Sequence, residues 1–230
     1  TAQPLQPGIT LLGLGLGDAS QLTRQAWDWL NQIDTVYVRD TSHPAVTGFP
    51  PGLRVESFGA IFAADHPVED AAYALVAQVV AMGAKAHVTY AVSGHPYVAD
   101  ATAAAIIHLA ESQDVPLRVL DGISFVEPAL TALGVTAFPA VAVVDAASLN
   151  GSYAPLFSPS QPALIAQLSS AAVAAGVKHA LSVAYPDHFG VRLVHAPGSA
   201  QPLVEDLPLE AIDRSPHLGP LSLLYLPALG

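Results

Sequence analysis

The sequence predicts an α/β chain of two lobes, the first built on a mostly parallel sheet and the second on a mixed sheet. Three observations lead to this reading. As far as Gly134, short apolar runs alternate with segments of helical spacing. Three of those runs end in glycine-bearing turns, Gly13-Leu14-Gly15-Leu16-Gly17, Ser93-Gly94-His95-Pro96 and Asp121-Gly122-Ile123-Ser124. Beyond Gly134 the texture changes to short strand-like runs around a Pro/Ser-rich loop at 152–162. In open α/β sheets ligands settle at the carboxyl ends of strands, and the three turns lie at such ends.

Taken in order, residues 9–14 read as a first strand. The helix that follows places Leu22, Ala26, Trp29, Leu30 and Ile33 on one face, with Ser20 as its expected N-cap. Residues 35–38 form a second strand, and 44–64 reads as a loop. Asp65-His66-Pro67 opens a helix that carries Val68, Ala72, Leu75, Val76, Val79, Val80 and Met82 and stops at Gly83. Strands at 86–92 and 117–120 flank an Ala-rich helix at 98–109, and a further helix ends near Leu133-Gly134. The second lobe carries strands at 141–145, 163–168, 191–195 and 221–226. The expected organisation is a flexible leader at 1–8, an N-terminal lobe at 9–117 and a C-terminal lobe at 118–230, with the transition around 114–121.

Composition narrows the function. The 230 residues are 52% hydrophobic and only 12% charged, below the ~25% usual for soluble domains, which favours a partner-covered surface and a homodimer. Eight Lys and Arg against 19 Asp and Glu give a net charge of -11, the reverse of what phosphate-backbone binding needs, so nucleic acid is excluded. The absence of Cys removes disulfides, thiolate metal sites and cysteine nucleophiles and fits a cytoplasmic location. Apolar stretches such as 71–82 fall short of the ~18 residues of a membrane span.

The motifs argue against other chemistries, a nicotinamide dinucleotide site being a third and weaker reading. Gly13-Leu14-Gly15-Leu16-Gly17 lacks the two residues that a dinucleotide fingerprint needs before its third Gly, although Asp40 stands where a ribose carboxylate would. Ser93-Gly94-His95 lacks the flanking glycines of a nucleophile elbow. His43, His66, His87, His95 and His108 have no metal-ligand spacing, so no metal is expected. Arg39, His43, Tyr90, His95 and Tyr97 are the polar groups near strand ends, each as well suited to structural hydrogen bonding as to chemistry, and no catalytic residue is assigned among them.

Five motifs in register carry a resemblance. Gly13-Leu14-Gly15-Leu16-Gly17-Asp18 with Leu22-Thr23, Tyr37-Val38-Arg39 with His43-Pro44, Tyr90-Ala91-Val92-Ser93-Gly94-His95-Pro96-Tyr97-Val98, Asp121-Gly122-Ile123-Ser124-Phe125 and Pro197-Gly198-Ser199 resemble the tetrapyrrole (corrin/porphyrin) methylase family over nearly the whole chain. Within it the chain is most similar to the methylase domain that precedes MazG-type nucleotide pyrophosphohydrolases, where Gly-His-Pro replaces Gly-Asp-Pro. No acidic magnesium-binding helices of such a pyrophosphohydrolase occur within these residues.

The resemblance implies a two-lobed fold with S-adenosylmethionine folded between the lobes. It implies cofactor contacts at Leu16, where the family usually has Pro, at Ser93, Gly94, His95 and Val98, at Ser124 and Phe125, and at Gln167 and Gly198. It further implies a methyltransferase acting on a small-molecule acceptor, with a tetrapyrrole as one candidate. The other reading is a non-catalytic module that senses S-adenosylmethionine or a nucleotide in association with a MazG-type pyrophosphohydrolase.

Overall fold

The structure, a computed structural model, describes residues 5–63, 68–149, 151–152 and 154–230. Two compact units meet in the chain between Phe125 and Val126. The first unit runs β1 (Gly8–Gly13), a 3-10 turn (Ala19–Gln21), α1 (Arg24–Leu30), β2 (Thr35–Val38), a 3-10 turn (Pro44–Gly48), β3 (Arg54–Ser57), α2 (Gly59–Ala63), α3 (Val68–Gly83), β4 (His87–Val92), α4 (Ala101–Ser112) and β5 (Leu117–Leu120). Its five strands are all parallel in the order β3-β2-β4-β1-β5. β5 pairs along its length with β1, from Ile9 opposite Leu117 to Leu12 opposite Leu120. That pairing sets β5 and the turn after it in the first unit, whereas the lobe boundary expected at 117/118 falls inside the strand.

β1 is buried throughout, as a central parallel strand covered on both faces must be. Ile9 and Leu11 join Val79, Val80, Val88 and Ile106 beneath α3 and α4. Leu12 and Leu14 turn the other way, to Ala26 and Leu30 of α1 and to Val36 and Val38 of β2. Each such side chain contributes about 1.5–3 kcal/mol by leaving water.

A polar network lies under α1 within this apolar frame. The Trp29 indole N–H donates to Thr89 Oγ1 at 3.0 Å. Arg118 donates through Nε to Thr10 Oγ1 at 2.9 Å while its guanidinium sits 3.7 Å above the Trp29 ring. His87 Nδ1 lies 3.1 Å from the Gln6 carbonyl, which can only accept, so in a neutral ring the proton sits on Nδ1 and Nε2, 2.9 Å from the Thr10 hydroxyl, is the acceptor there. Thr10 and Thr89 are both fully buried and both satisfied.

Local chemistry explains where the elements differ from expectation. Thr23, not Ser20, caps α1: its hydroxyl accepts from Ala26 N at 3.1 Å, while Ser20 lies inside the preceding 3-10 turn, which Asp18 caps. The helix expected from Val98 begins at Ala101, because Ala99 takes a positive φ of 58° and Asp100 is the cap, accepting from Ala103 N at 2.8 Å. The segment 44–64, expected as loop, contains β3 and α2. The expected helix opening at Asp65, His66 and Pro67 lies outside the described residues.

The second unit runs α5 (Val126–Leu133), β6 (Ala142–Asp145), α6 (Ala146–Leu149), β7 (Ala163–Ala166), α7 (Ala171–Leu181), β8 (Gly190–His195), β9 (Leu203–Pro208), a 3-10 turn (Leu209–Arg214) and β10 (Ser222–Leu226). Its sheet is mixed as expected, in the order β6-β7-β10-β8-β9, with only β6 and β7 parallel. Ile165, Leu193 and Leu224 from the sheet meet Ala174, Val177 and Leu181 of α7 in its core. Lys178 donates to Asp213 Oδ2 at 2.6 Å, and this bond holds the Asp213 carboxyl below the usual range. No helix among the described residues is long and apolar enough to cross a membrane.

Tyr185 is 2% exposed and its hydroxyl has no hydrogen-bond partner among the described residues. Burying an unsatisfied hydroxyl costs free energy that phenylalanine does not incur. Tyr185→Phe is therefore expected to stabilise the protein by up to about 1 kcal/mol in equilibrium urea unfolding. A loss of stability instead would show that the hydroxyl is bound.

Candidate functional site

The site is built where β4, β1 and β5, adjacent in the sheet, reach their carboxyl ends. Past Gly13 the chain continues the ladder with Leu14 N–H donating to the Val92 carbonyl at 2.9 Å. Gly15 and Gly94 then exchange two backbone hydrogen bonds, 3.2 Å from Gly15 N and 2.7 Å from Gly94 N, so the first and second turns are zipped antiparallel beyond the parallel strands.

The third turn completes a contact made almost wholly of backbone. A methyl group on Gly122 would lie 2.1 Å from the Gly94 carbonyl oxygen and 2.7 Å from Gly13 Cα. One on Gly13 would lie 2.6 Å from both Gly122 Cα and the Gly94 oxygen. Only glycine allows three main chains to approach so closely.

Side chains pin each turn. Gln21 Oε1 accepts from Leu16 N at 3.0 Å and Gly17 N at 2.9 Å, closing the first turn. Thr23 donates to the Asp121 carbonyl at 3.2 Å, which ties the helix cap of α1 to the third turn. In the second turn Tyr97 N donates to His95 Nδ1 at 3.0 Å, so a neutral His95 carries its proton on Nε2, 3.4 Å from the Asp121 carboxylate. Val98 N donates back to the His95 carbonyl at 2.9 Å. His43 Nε2 lies 3.2 Å from the Gly15 carbonyl, and its Nδ1 accepts from Ala45 N at 3.2 Å.

Near the ends of β2 and β4, burial pushes the Asp100 carboxyl up, against the downward pull of the Ala103 and Thr102 amides and of Arg39. Burial raises the Tyr90 hydroxyl well above its ordinary range. Arg39 is exposed, its guanidinium 4.4 Å from the centre of the Phe62 ring. Asp40 is also exposed and accepts from Ser42 N at 2.8 Å.

Of the residues expected to contact a cofactor, Leu16, Ser93, Gly94, His95, Val98, Ser124 and Phe125 all belong to these three turns or their continuations. Gly94 takes a φ of +73°, with Leu16 Cδ2 3.6 Å from the position of a Cβ. Ser124 is buried, Leu16, His95, Val98 and Phe125 are half-buried, and Ser93 is exposed. Gln167 and Gly198 belong to the second unit, immediately past β7 and in the turn after β8. Gln167 has a positive φ of 61°, and Ser169 N bonds its carbonyl at 2.7 Å.

Gln21, Thr23, His43 and Asp121 all act in this arrangement without an assigned role in the sequence reading. Gln21 gives no signal beyond its closeness to the glycine turn. Asp121 stands in a turn motif whose carboxylate meets His95 only once the sheet has brought β4 and β5 to either side of β1.

Comparison with known proteins gives a consistent picture. At 30% identity over 222 residues the chain matches the uncharacterized protein YabN of Bacillus subtilis (strain 168), with 96% of this chain covered but only 45% of YabN. The chain therefore spans less than half the length of that relative. Among solved structures it is similar to uroporphyrin-III-C-methyltransferase from Thermus thermophilus, at a TM-score of 0.72 and 20% identity, covering 97% of this chain and 93% of that one. Cobalt precorrin-4 methyltransferase gives 0.69 at 15% identity over 95% and 94%, and diphthine synthase 0.64 at 18% over 96% and 89%. These likenesses establish the fold. Residues 8–212 match the model of the Tetrapyrrole (Corrin/Porphyrin) Methylases, and the chain belongs to that family.

Proposed function

We propose that the protein is an S-adenosylmethionine-dependent methyltransferase whose first unit receives the cofactor on the turns after β1, β4 and β5. The observation that carries this reading is the three-way backbone approach of Gly13, Gly94 and Gly122 at the carboxyl ends of adjacent parallel strands. A cofactor with a cationic sulfonium and a zwitterionic amino-acid end suits a surface of backbone carbonyls and amides better than one of strongly charged side chains. The residues present fit such a group: Gly94 supplies a backbone without a side chain, and Leu16 brings an apolar side chain beside it, Cδ2 3.6 Å from where a Cβ would stand.

When bound, the cofactor supplies an electrophilic methyl carbon. The chain's part is to hold that end and an acceptor in line, which in well-oriented reactions removes about 7–11 kcal/mol of barrier. Gln21 and Thr23 contribute by keeping the turns rigid. His95 contributes an imidazole whose Nε2 lies 3.4 Å from the Asp121 carboxylate, where the family pattern has an aspartate in place of the histidine. The acceptor is a small molecule, and its proton leaves to solvent or to a group of its own.

The second reading is a module that binds S-adenosylmethionine or a nucleotide without turnover, in association with a MazG-type pyrophosphohydrolase. It is favoured by His95 itself, which replaces a fixed carboxylate with an imidazole.

Titration calorimetry with S-adenosylhomocysteine is expected to show binding that Gly94→Val weakens by about 100-fold or more, since a branched side chain at φ +73° is strained and fills the space beside Leu16. Absence of binding to the unaltered protein would overturn the first reading and leave of the second only its nucleotide-binding form. Binding without a methylated product from porphyrinogens, peptides and small amines would favour the second.

A further inference from the structure

We propose that His43 is a positioning residue of this site: its neutral ring holds the Gly15 carbonyl at the point where the first and second turns meet, and so sets the spacing of the backbones that receive the cofactor. This rests on the cofactor reading above. The Gly15 oxygen accepts from Gly94 N at 2.7 Å and faces His43 Nε2 at 3.2 Å, so both of its lone pairs are engaged across the two turns. The imidazole cannot drift, because Ala45 N donates to Nδ1 at 3.2 Å while Val46 N donates to the His43 carbonyl at 3.0 Å. With Nδ1 accepting, the ring proton sits on Nε2 and is donated to Gly15. His43 is therefore bonded through both ring nitrogens, on one side to the 3-10 turn (Pro44–Gly48) and on the other to the glycine turn.

The clamp works in one protonation state. A proton added at Nδ1 would face the Ala45 N–H and break that bond. Burial of the ring holds the imidazole below its usual range, and the Gly15 carbonyl opposes this more weakly. No charged neighbour enters among the described residues: the two 3-10 turns beside it carry no ionisable side chain, Asp18 and Asp40 are exposed and bonded to Ser20 and Ser42, and Arg39 lies against Phe62. Because the folded value is lowered, the contribution of the clamp is complete above the ordinary histidine range. It declines as pH falls from that range through the lowered value.

The test uses ¹⁵N-labelled protein, unaltered and as His43→Asn and His43→Gln. Asparagine keeps an acceptor for Ala45 N and loses the donor to Gly15, while the longer glutamine amide can restore that donor. Amide exchange in the free protein is expected to be about ten-fold faster at Gly94 in His43→Asn, with Ala45 little changed. S-adenosylhomocysteine is expected to bind His43→Asn about five-fold more weakly at pH 8 and without the decline toward pH 5 shown by the unaltered protein, and His43→Gln to recover most of the affinity. Gly94 exchange and a pH profile unchanged in His43→Asn would overturn the proposal. If the unaltered protein binds no S-adenosylhomocysteine, the cofactor reading fails; faster Gly94 exchange in the variant would then mark His43 as a structural bond only, overturning its positioning role.

Discussion

Gly122→Ala is expected to destabilise the first unit by about 3 kcal/mol, lowering its unfolding midpoint by about 10 °C, and to abolish cofactor binding at the same time. The added carbon would sit 2.1 Å from the Gly94 carbonyl oxygen and 2.7 Å from Gly13 Cα. Both obstacles are main chain, so no side chain can rotate away and the turns must separate. Separation breaks the paired Gly15 and Gly94 bonds and moves the carbonyl that His43 faces. Gly134→Ala is the control: it also carries a positive φ, 64°, but nothing lies within 4 Å of its added carbon, so it is expected to cost only about 1 kcal/mol and leave binding intact. Differential scanning calorimetry with and without S-adenosylhomocysteine measures both effects. A Gly122→Ala protein that melts and binds like the unaltered one would refute the close packing of the three turns.

Trp29→Ala is expected to cost about 3–5 kcal/mol, the largest effect of any single side chain in the α1 layer. The indole fills the space between α1 and the sheet, and its loss leaves a cavity beside Leu12 and Leu30. It also removes the donor to buried Thr89 and the aromatic face beneath Arg118. Trp29→Phe separates these contributions. It keeps most of the volume and an aromatic face, so its cost of about 1–2 kcal/mol is mainly the lost indole hydrogen bond. Urea unfolding followed by far-ultraviolet circular dichroism gives both values, and equal costs for the two variants would assign the effect to the hydrogen bond rather than to packing.

The elements that the sequence made legible are those whose burial pattern is simple. β2 and β5 have the residues expected, 35–38 and 117–120, because each is a short apolar run with a turn at both ends. β3 was hidden: Arg54-Val55-Glu56-Ser57 is an edge strand with a single half-buried apolar residue, and its register comes from pairing with β2 rather than from its own periodicity. β9 is also an edge, and its half-buried face includes Glu205, which accepts from Ser215, where a strand signal would call for an apolar residue. α7 was obscured by composition, since alanines on both faces of 171–181 and an interior Gly176 leave little contrast between its core and solvent sides. At the site, the glycines of all three turns were visible as motifs. Their mutual contact was not, because it depends on the sheet order that sets β1 between β4 and β5. The roles of Gln21 and His43 were hidden for the same reason: each acts on a backbone atom that only the folded turn presents.

Both tryptophans of the chain, Trp27 and Trp29, stand on α1. Light at 295 nm therefore excites the first unit alone, and the second unit, with its tyrosines, stays dark at that wavelength. The indole of Trp29, dry on one side and capped by a guanidinium on the other, emits in an environment unlike that of half-buried Trp27. Emission thus reports on the layer that carries the glycine turns, while peptide-bond dichroism reports on the whole chain. Where the two melting curves part, the gap between them measures how far the two units unfold independently.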